Sequence, residues 1–220
     1  MTFENKIIIF DDFIDKEYQE KIKSELRGSE TNEAQAFPWF YTEDVTTAYD
    51  IESQHRCGLA HQYVTLPKEL QEFDLPESVI KGRKLLGKVV SEYHNLFVPM
   101  LQKVGFKLGL SDIQVLQGRS FLQFPINTDG TIDTPHIDIY DDEEGNIDFI
   151  VALYYVVDSD GDTVIYNERE KDPDGNYTIK GSVTPKQGRM VIFDGGLYHA
   201  ARQPINLSLI HISEPTRHRG

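Results

Sequence analysis

Thr134-Pro135-His136-Ile137-Asp138 and, beyond an acidic loop, Phe149-Ile150-Val151-Ala152-Leu153-Tyr154-Tyr155-Val156-Val157 form the stretch on which the reading of the fold turns. The nine-residue apolar run is too short to span a bilayer and reads as a strand. Working outward, residues 113–124, 134–140, 147–157, 163–167, 177–183, 189–193 and 197–202 all have strand character. Turn chemistry separates them at Asn127-Thr128-Asp129-Gly130, Glu144-Gly145-Asn146, Asp160-Gly161 and Asp172-Pro173-Asp174-Gly175-Asn176. Many short strands with regular turns predict a sandwich or barrel.

The N-terminal half reads differently. Residues 6–10 form a short β-branched strand, and Asp15 is placed to cap a helix running to about Leu26, with Tyr18, Ile22 and Leu26 on one face. Residues 29–63 have no sustained period. From Pro76 to Val104 apolar residues recur at helical spacing, and Pro99 is expected to break or kink that helix. The expectation is a mainly β protein with flanking helices (α+β): one domain over residues 1–206, with a helical flank to about 110 and a β core from about 111.

Composition narrows the function classes. The chain has 220 residues, a formal net charge of −14 and 16 Gly with 10 Pro, which suits a globular domain and excludes collagen-like or low-complexity readings. The acidic balance, with no Lys/Arg cluster, argues against nucleic acid as a partner. The sequence also opens on no secretory leader pattern, and the single Cys57 allows no internal disulfide. A cytoplasmic protein with no membrane partner is expected.

His136-Ile137-Asp138 carries the chemistry. Positions i and i+2 of a strand face one side, so the imidazole and the carboxylate project together. His199 follows Phe193-Asp194-Gly195-Gly196 and is the candidate third ligand. Two imidazoles and one carboxylate make the facial triad of non-heme Fe(II) oxygenases, with coordination positions left open.

On these residues the sequence resembles the Fe(II)- and 2-oxoglutarate-dependent dioxygenases, in particular their prolyl 4-hydroxylase-like branch. The pieces run in family order: Thr134-Pro135-His136-Ile137-Asp138, Leu153-Tyr154-Tyr155, Asp160-Gly161-Asp162-Thr163, Pro185-Lys186-Gln187-Gly188-Arg189, and Phe193-Asp194-Gly195 leading to His199. The opening strand and helix, with Phe37-Pro38-Trp39-Phe40, resemble small phage members of the branch, which extends the expected location to a phage-infected host cell. The resemblance implies a double-stranded β-helix (jelly-roll) core and a site holding Fe(II), with 2-oxoglutarate, O₂ and, as a candidate addition, ascorbate. It implies release of succinate and CO₂ as a C–H bond is hydroxylated, on a prolyl or other peptidyl side chain or on a small molecule. It gives Tyr155 as a candidate 2-oxoglutarate contact. The residues also suit a jelly-roll metal-binding or binding module without turnover, or a cupin-like metal enzyme.

One family feature is missing. An Arg or Lys is expected about ten residues after the distal His, where it pairs the far carboxylate of 2-oxoglutarate. Ser208, Leu209, Ile210 and His211 occupy that place. Residues 207–217, Leu-Ser-Leu-Ile-His-Ile-Ser-Glu-Pro-Thr-Arg, resemble the translation of a sequencing-library adapter, so residues 207–220 read as a non-native tail; the alternative is a genuine tail in which Ile205, Leu207 and Leu209 alternate as in a strand. The sequence therefore predicts metal binding with little saturable dependence on 2-oxoglutarate.

Three further groups read as structural. His55, Cys57 and His61 lack an obvious fourth ligand for zinc. The loop from Asp158 to Asp162 has its glycine misplaced for a calcium site and suits a hairpin turn. Trp39 with Phe37 and Phe40 suits core packing better than a substrate platform.

Overall fold

The computed structural model describes residues 3–27, 36–43, 57–66, 87–111, 113–126, 131–139 and 148–218. Its elements are β1 (Ile7–Phe10), α1 (Lys16–Arg27), β2 (Phe40–Thr42), β3 (Gly58–Thr65), β4 (Lys88–Val89), a 3₁₀ turn (Glu92–Leu96) and α2 (Val98–Leu108). Then follow β5 (Ile113–Val115), β6 (Gly118–Gln123), β7 (Ile150–Tyr155), β8 (Thr163–Tyr166), β9 (Ile179–Val183), β10 (Met190–Asp194), β11 (His199–Ala201) and β12 (Leu209–His218). The described strands form two antiparallel sheets. The larger runs β1-β10-β7-β12-β6-β3-β2, with β4 on β3 and β5 on β12; the smaller is β11-β8-β9. This mostly antiparallel two-sheet core is a jelly roll.

Alternation along the central strands explains both layers. On β7, Val151, Leu153 and Tyr155 join Val191, Phe193 and Leu209 against Ile165 and Val183 of the small sheet. Ala152 and Tyr154 face the other way, with Ile192, Ile210 and Ile212, and pack against Ile22 and Leu26 of α1 and Met100 and Val104 of α2. A strand covered on both faces has no polar side to display, which is why residues 149–157 read as a continuous apolar run.

The helices begin where local chemistry lets them. Asp15 caps α1, its Oδ1 accepting from the Tyr18 amide at 2.9 Å. Pro99, expected to break or kink the helical run, stands at a break: it lies in the first turn of α2, where a missing N–H costs nothing, and the separate 3₁₀ turn at Glu92–Leu96 precedes it. Gly109, at φ 67°, closes α2 in the left-handed conformation that glycine adopts without strain.

Two expectations change. The region upstream of residue 110 supplies strands as well as helices, with β3 pairing β6 so that the large sheet extends beyond the jelly-roll core. The expected strand at 113–124 is two strands, β5 and β6, broken around Leu116 and Gln117, whose amides both turn to the Pro215 carbonyl. Residues 67–86, where the sequence predicts part of the second helix, lie outside the described residues.

Candidate metal centre

Residues 134–140 are expected as a strand, but the described part, 131–139, pairs with its neighbour only at intervals. Bridges form at Ile132↔Arg202 and His136↔His199. Pro135 has no N–H to donate, and the residue before a proline is restricted, so a regular ladder cannot form through it. The segment is nevertheless held in place. The Asp133 amide donates to the Ala201 carbonyl and the Gln203 amide to Thr131. Gln203 Nε2 lies 2.7 Å from both Asp133 carboxylate oxygens.

His199 is fixed from its own side. Asp194, buried at the end of β10, accepts from the Asn5 amide at 2.7 Å and the Gly196 amide at 3.0 Å, and pairs with the Arg169 guanidinium. These bonds pin the turn that leads into β11. Gly195 is required there because a Cβ would lie 2.3 Å from the Phe149 ring.

The three predicted ligands meet. His136 Nε2 is 3.9 Å from Asp138 Oδ1, His199 Nε2 is 3.6 Å from Asp138 Oδ2, and one donor atom from each lies within 4.8 Å of the others. Two donors each about 2.1 Å from one ion can be no more than about 4.2 Å apart, so both Asp138 separations fit a shared metal. The ring orientations fit as well. His136 Nδ1 faces the Thr134 carbonyl and His199 Nδ1 the Leu197 carbonyl, both at 3.2 Å. A proton on each Nδ1 satisfies those carbonyls and leaves both Nε2 lone pairs aimed at the gap. Asp138 Oδ2 is buried with no hydrogen-bond partner, a costly state that a cation relieves.

Electrostatics agree with ligation. Burial, reinforced by His199, pushes the His136 imidazole down to about 3, so it is neutral and able to ligate at physiological pH. For Asp138, burial is the largest single influence and works upward, but His199, His136 and Arg119 together hold the carboxyl below the usual range, in its anionic form.

The triad opens into a cavity whose walls include Val151, Leu153, Phe193 and Leu209, with Phe121, Gln123, His211 and Ser213 on one side. Thr163 also lines it, while Tyr155 lies one layer back, fully buried, its hydroxyl donating to Thr163 Oγ1 at 2.7 Å. Sequence reading missed Asp133, Gln203 and the β6 wall, because each acts through a partner distant in the chain.

The groups read as structural have structural surroundings. His61 has both ring nitrogens engaged, Nδ1 with the Pro38 carbonyl at 2.6 Å and Nε2 with Ser91 Oγ at 2.8 Å. His55 lies outside the described residues, as do the acidic residues Asp141 to Glu144. Asp160 accepts from the amides of Ile205, Asn206 and Leu207 at 3.0, 2.9 and 3.3 Å, organising the turn before β12. The Trp39 indole donates to the Leu26 carbonyl at 2.8 Å, and its ring meets Phe37 in the core.

Residues 209–218 form β12, paired on both sides at the centre of the large sheet. Its chemistry suits that place poorly. Both Glu214 carboxylate oxygens, Thr216 Oγ1 and His211 Nδ1 are buried without hydrogen-bond partners. Pro215 sits between paired strands, where it removes a ladder donor.

Comparison with solved structures places this architecture. The chain is similar to a Pseudomonas putida prolyl-4-hydroxylase at 15% identity, covering 98% of this chain and 94% of the other, with a TM-score of 0.53. An oxidoreductase of the 2OG-Fe(II) oxygenase family from Burkholderia pseudomallei aligns at 9% identity over 97% and 86% of the two chains, with a TM-score of 0.61. The viral collagen prolyl hydroxylase from Paramecium bursaria Chlorella virus-1, in its 2OG complex, aligns at 12% identity over 98% of each chain, with a TM-score of 0.50. No protein-family model and no curated protein matches the sequence. The fold is that of the 2OG-Fe(II) oxygenases. The prolyl hydroxylases among these structures share that fold, and in this chain it brings His136, Asp138 and His199 together in an arrangement that could hold a metal ion.

No helix among the described residues is long and apolar enough to cross a membrane.

Proposed function

We propose that this protein is an Fe(II)- and 2-oxoglutarate-dependent oxygenase that hydroxylates a C–H bond of a peptidyl or small-molecule substrate. The observation that carries the reading is the ring orientation of His136 and His199: each Nδ1 is turned to a backbone carbonyl, and each Nε2 faces the same carboxylate. Bound iron with the keto acid supplies the oxidising chemistry. The chain supplies two imidazoles and an anionic carboxylate on one face, so the opposite positions remain open to small molecules. Apolar walls from Val151, Leu153, Phe193 and Leu209 exclude water from that side. Tyr155 holds the Thr163 hydroxyl at the cavity wall, available to a ligand carboxylate.

The substrate class is left at peptidyl or small-molecule. Similarity to prolyl hydroxylases supports the first, and the cavity that the triad lines supports the second. The strain in β12 supports the reading of residues 207–220 as a stand-in for a native final strand: a carboxylate and a proline are poor choices for the centre of a sheet.

The test is release of succinate from 2-oxoglutarate by the Fe(II)-loaded chain under air. Metal-dependent succinate release that Asp138→Ala abolishes supports an oxygenase. Tight metal binding without keto-acid consumption, both in this chain and in one whose residues 207–220 are replaced by a family-like final strand bearing Arg, identifies a metal-binding module instead.

A further inference from the structure

The carboxylate of Asp194 gathers donors from three separated parts of the chain. Asn5, just before β1, gives its amide at 2.7 Å, Gly196 gives its amide at 3.0 Å, and Arg169, in the loop after β8, gives its guanidinium. The backbone closes round the same residue: the Asp194 amide donates to the Lys6 carbonyl at 3.2 Å, and the Leu197 amide to the Asp194 carbonyl at 3.1 Å. Asn5 holds φ 58°, a left-handed conformation that asparagine tolerates better than most side chains. Asp194 is buried, so each donor offsets the cost of taking a carboxylate out of water.

Beyond Asp194 the path to the metal centre is short. The turn it closes carries the Leu197 carbonyl, which faces His199 Nδ1 at 3.2 Å and so sets which ring nitrogen is aimed at the triad. The loop that bears Arg169 holds this turn a second time: the Tyr198 amide donates to the Glu168 carbonyl at 3.0 Å. Gly196 leaves the space that the guanidinium occupies, since a Cβ there would lie 2.4 Å from Arg169 Nη2. The other imidazole is anchored separately, through Asp133 and Gln203.

We infer that Arg169 and Asp194 are positioning residues for the metal ligand His199, and that through them the N-terminal segment at Asn5 is coupled to metal occupancy. The inference rests on the metal centre of the oxygenase reading and adds no ligand to it. Coupling of this kind is reciprocal: a clamp that favours ligation by His199 is itself favoured when an ion is held. Metal loading therefore tightens the hold on Asn5.

Arg169 is the residue to change, because its side chain is 37% exposed where that of Asp194 is 6% exposed. Zn(II) affinity, measured by competition with a chromophoric chelator, is expected to fall about tenfold or more in Arg169→Gln, the scale of losing an outer partner of a metal ligand. Arg169→Lys, which keeps the charge without the planar fork, is expected to lie between parent and Gln variant. The absorption spectrum of the Co(II)-saturated Gln variant is expected to differ from the parent's, because the His199 ring is less firmly aimed. A lowered denaturation midpoint with Zn(II) affinity and Co(II) spectrum both unchanged marks a purely structural pair and overturns the inference. In the parent, amide hydrogen exchange at Asn5 and Gly196 is expected to slow on Zn(II) loading. That measurement needs no variant and decides the matter if the Gln variant does not fold; exchange indifferent to the ion overturns the coupling. A parent that binds Zn(II) no better than its variants overturns the inference alone. A parent that binds no Zn(II) overturns the metal centre, and the oxygenase reading with it.

Discussion

His136 and His199 face each other as a closed backbone pair: each amide donates to the other's carbonyl at 2.9 Å, and the ring centroids are 4.7 Å apart. Two ligands separated by more than sixty residues in sequence are thus fixed by the same two hydrogen bonds. Asp138, two residues along, completes the set without any regular strand. The geometry of the centre is a property of the backbone before any ion enters.

That pairing depends on support from Asp133 and Gln203, whose amide bridges both carboxylate oxygens in a buried position. Gln203→Leu removes the bridge and is expected to cost about 1–3 kcal/mol of stability, the scale of a buried polar group losing a partner. Metal affinity should fall as well, because the 131–136 segment loses an anchor. Urea denaturation and a metal titration of the same variant check the two effects. Unchanged values for both would remove Asp133 and Gln203 from the account.

Glu214 gives a pH prediction. It is buried with both carboxylate oxygens unpartnered, and burial pushes its carboxyl up to about 8. The folded state therefore keeps a proton that the unfolded chain loses near pH 4.5. The stability this contributes is fully present below that pH and is lost as pH rises through about 8. Each unit across the window is worth about 1.4 kcal/mol. Glu214→Gln is expected to be more stable than the parent at pH 9, with a flatter dependence from pH 5 to 9. Denaturant midpoints at pH 5, 7 and 9 measure this, and an equally steep slope in the variant contradicts it.

His61 tests the separation of core from centre. Its ring bridges Pro38 and Ser91 and packs against Phe37 at 4.7 Å and Tyr63 at 5.1 Å between centroids. His61→Ala removes two hydrogen bonds and a buried ring, and should destabilise the fold by about 2–4 kcal/mol. One metal per chain should still bind. Loss of metal stoichiometry with an intact fold would place a second ion near Cys57 and His61.

Much of the fold was legible because its signals are local. The run at 149–157 announces a strand covered on both faces, the turns carry Gly and Asp where chains reverse, and Asp15 marks the start of α1 to the residue. The ligands were legible because His136 and Asp138 are neighbours in sequence and His199 follows a Gly-containing turn. What escaped was non-local. β2 and β3 have no period of their own and are strands only because β6 lies beside them. Pro135 was visible, but its effect on the ligand segment needed the partner strand to be known.

The most direct test of the central claim, that His136, Asp138 and His199 together hold one metal ion, is anaerobic Fe(II) titration of the parent, His136→Ala and Asp138→Ala. The parent is expected to bind one Fe(II) per chain, and both variants to lose saturable binding at the same protein concentration while keeping their fold by circular dichroism. Fe(II) binding in both variants as tight as in the parent would contradict the assignment of the centre.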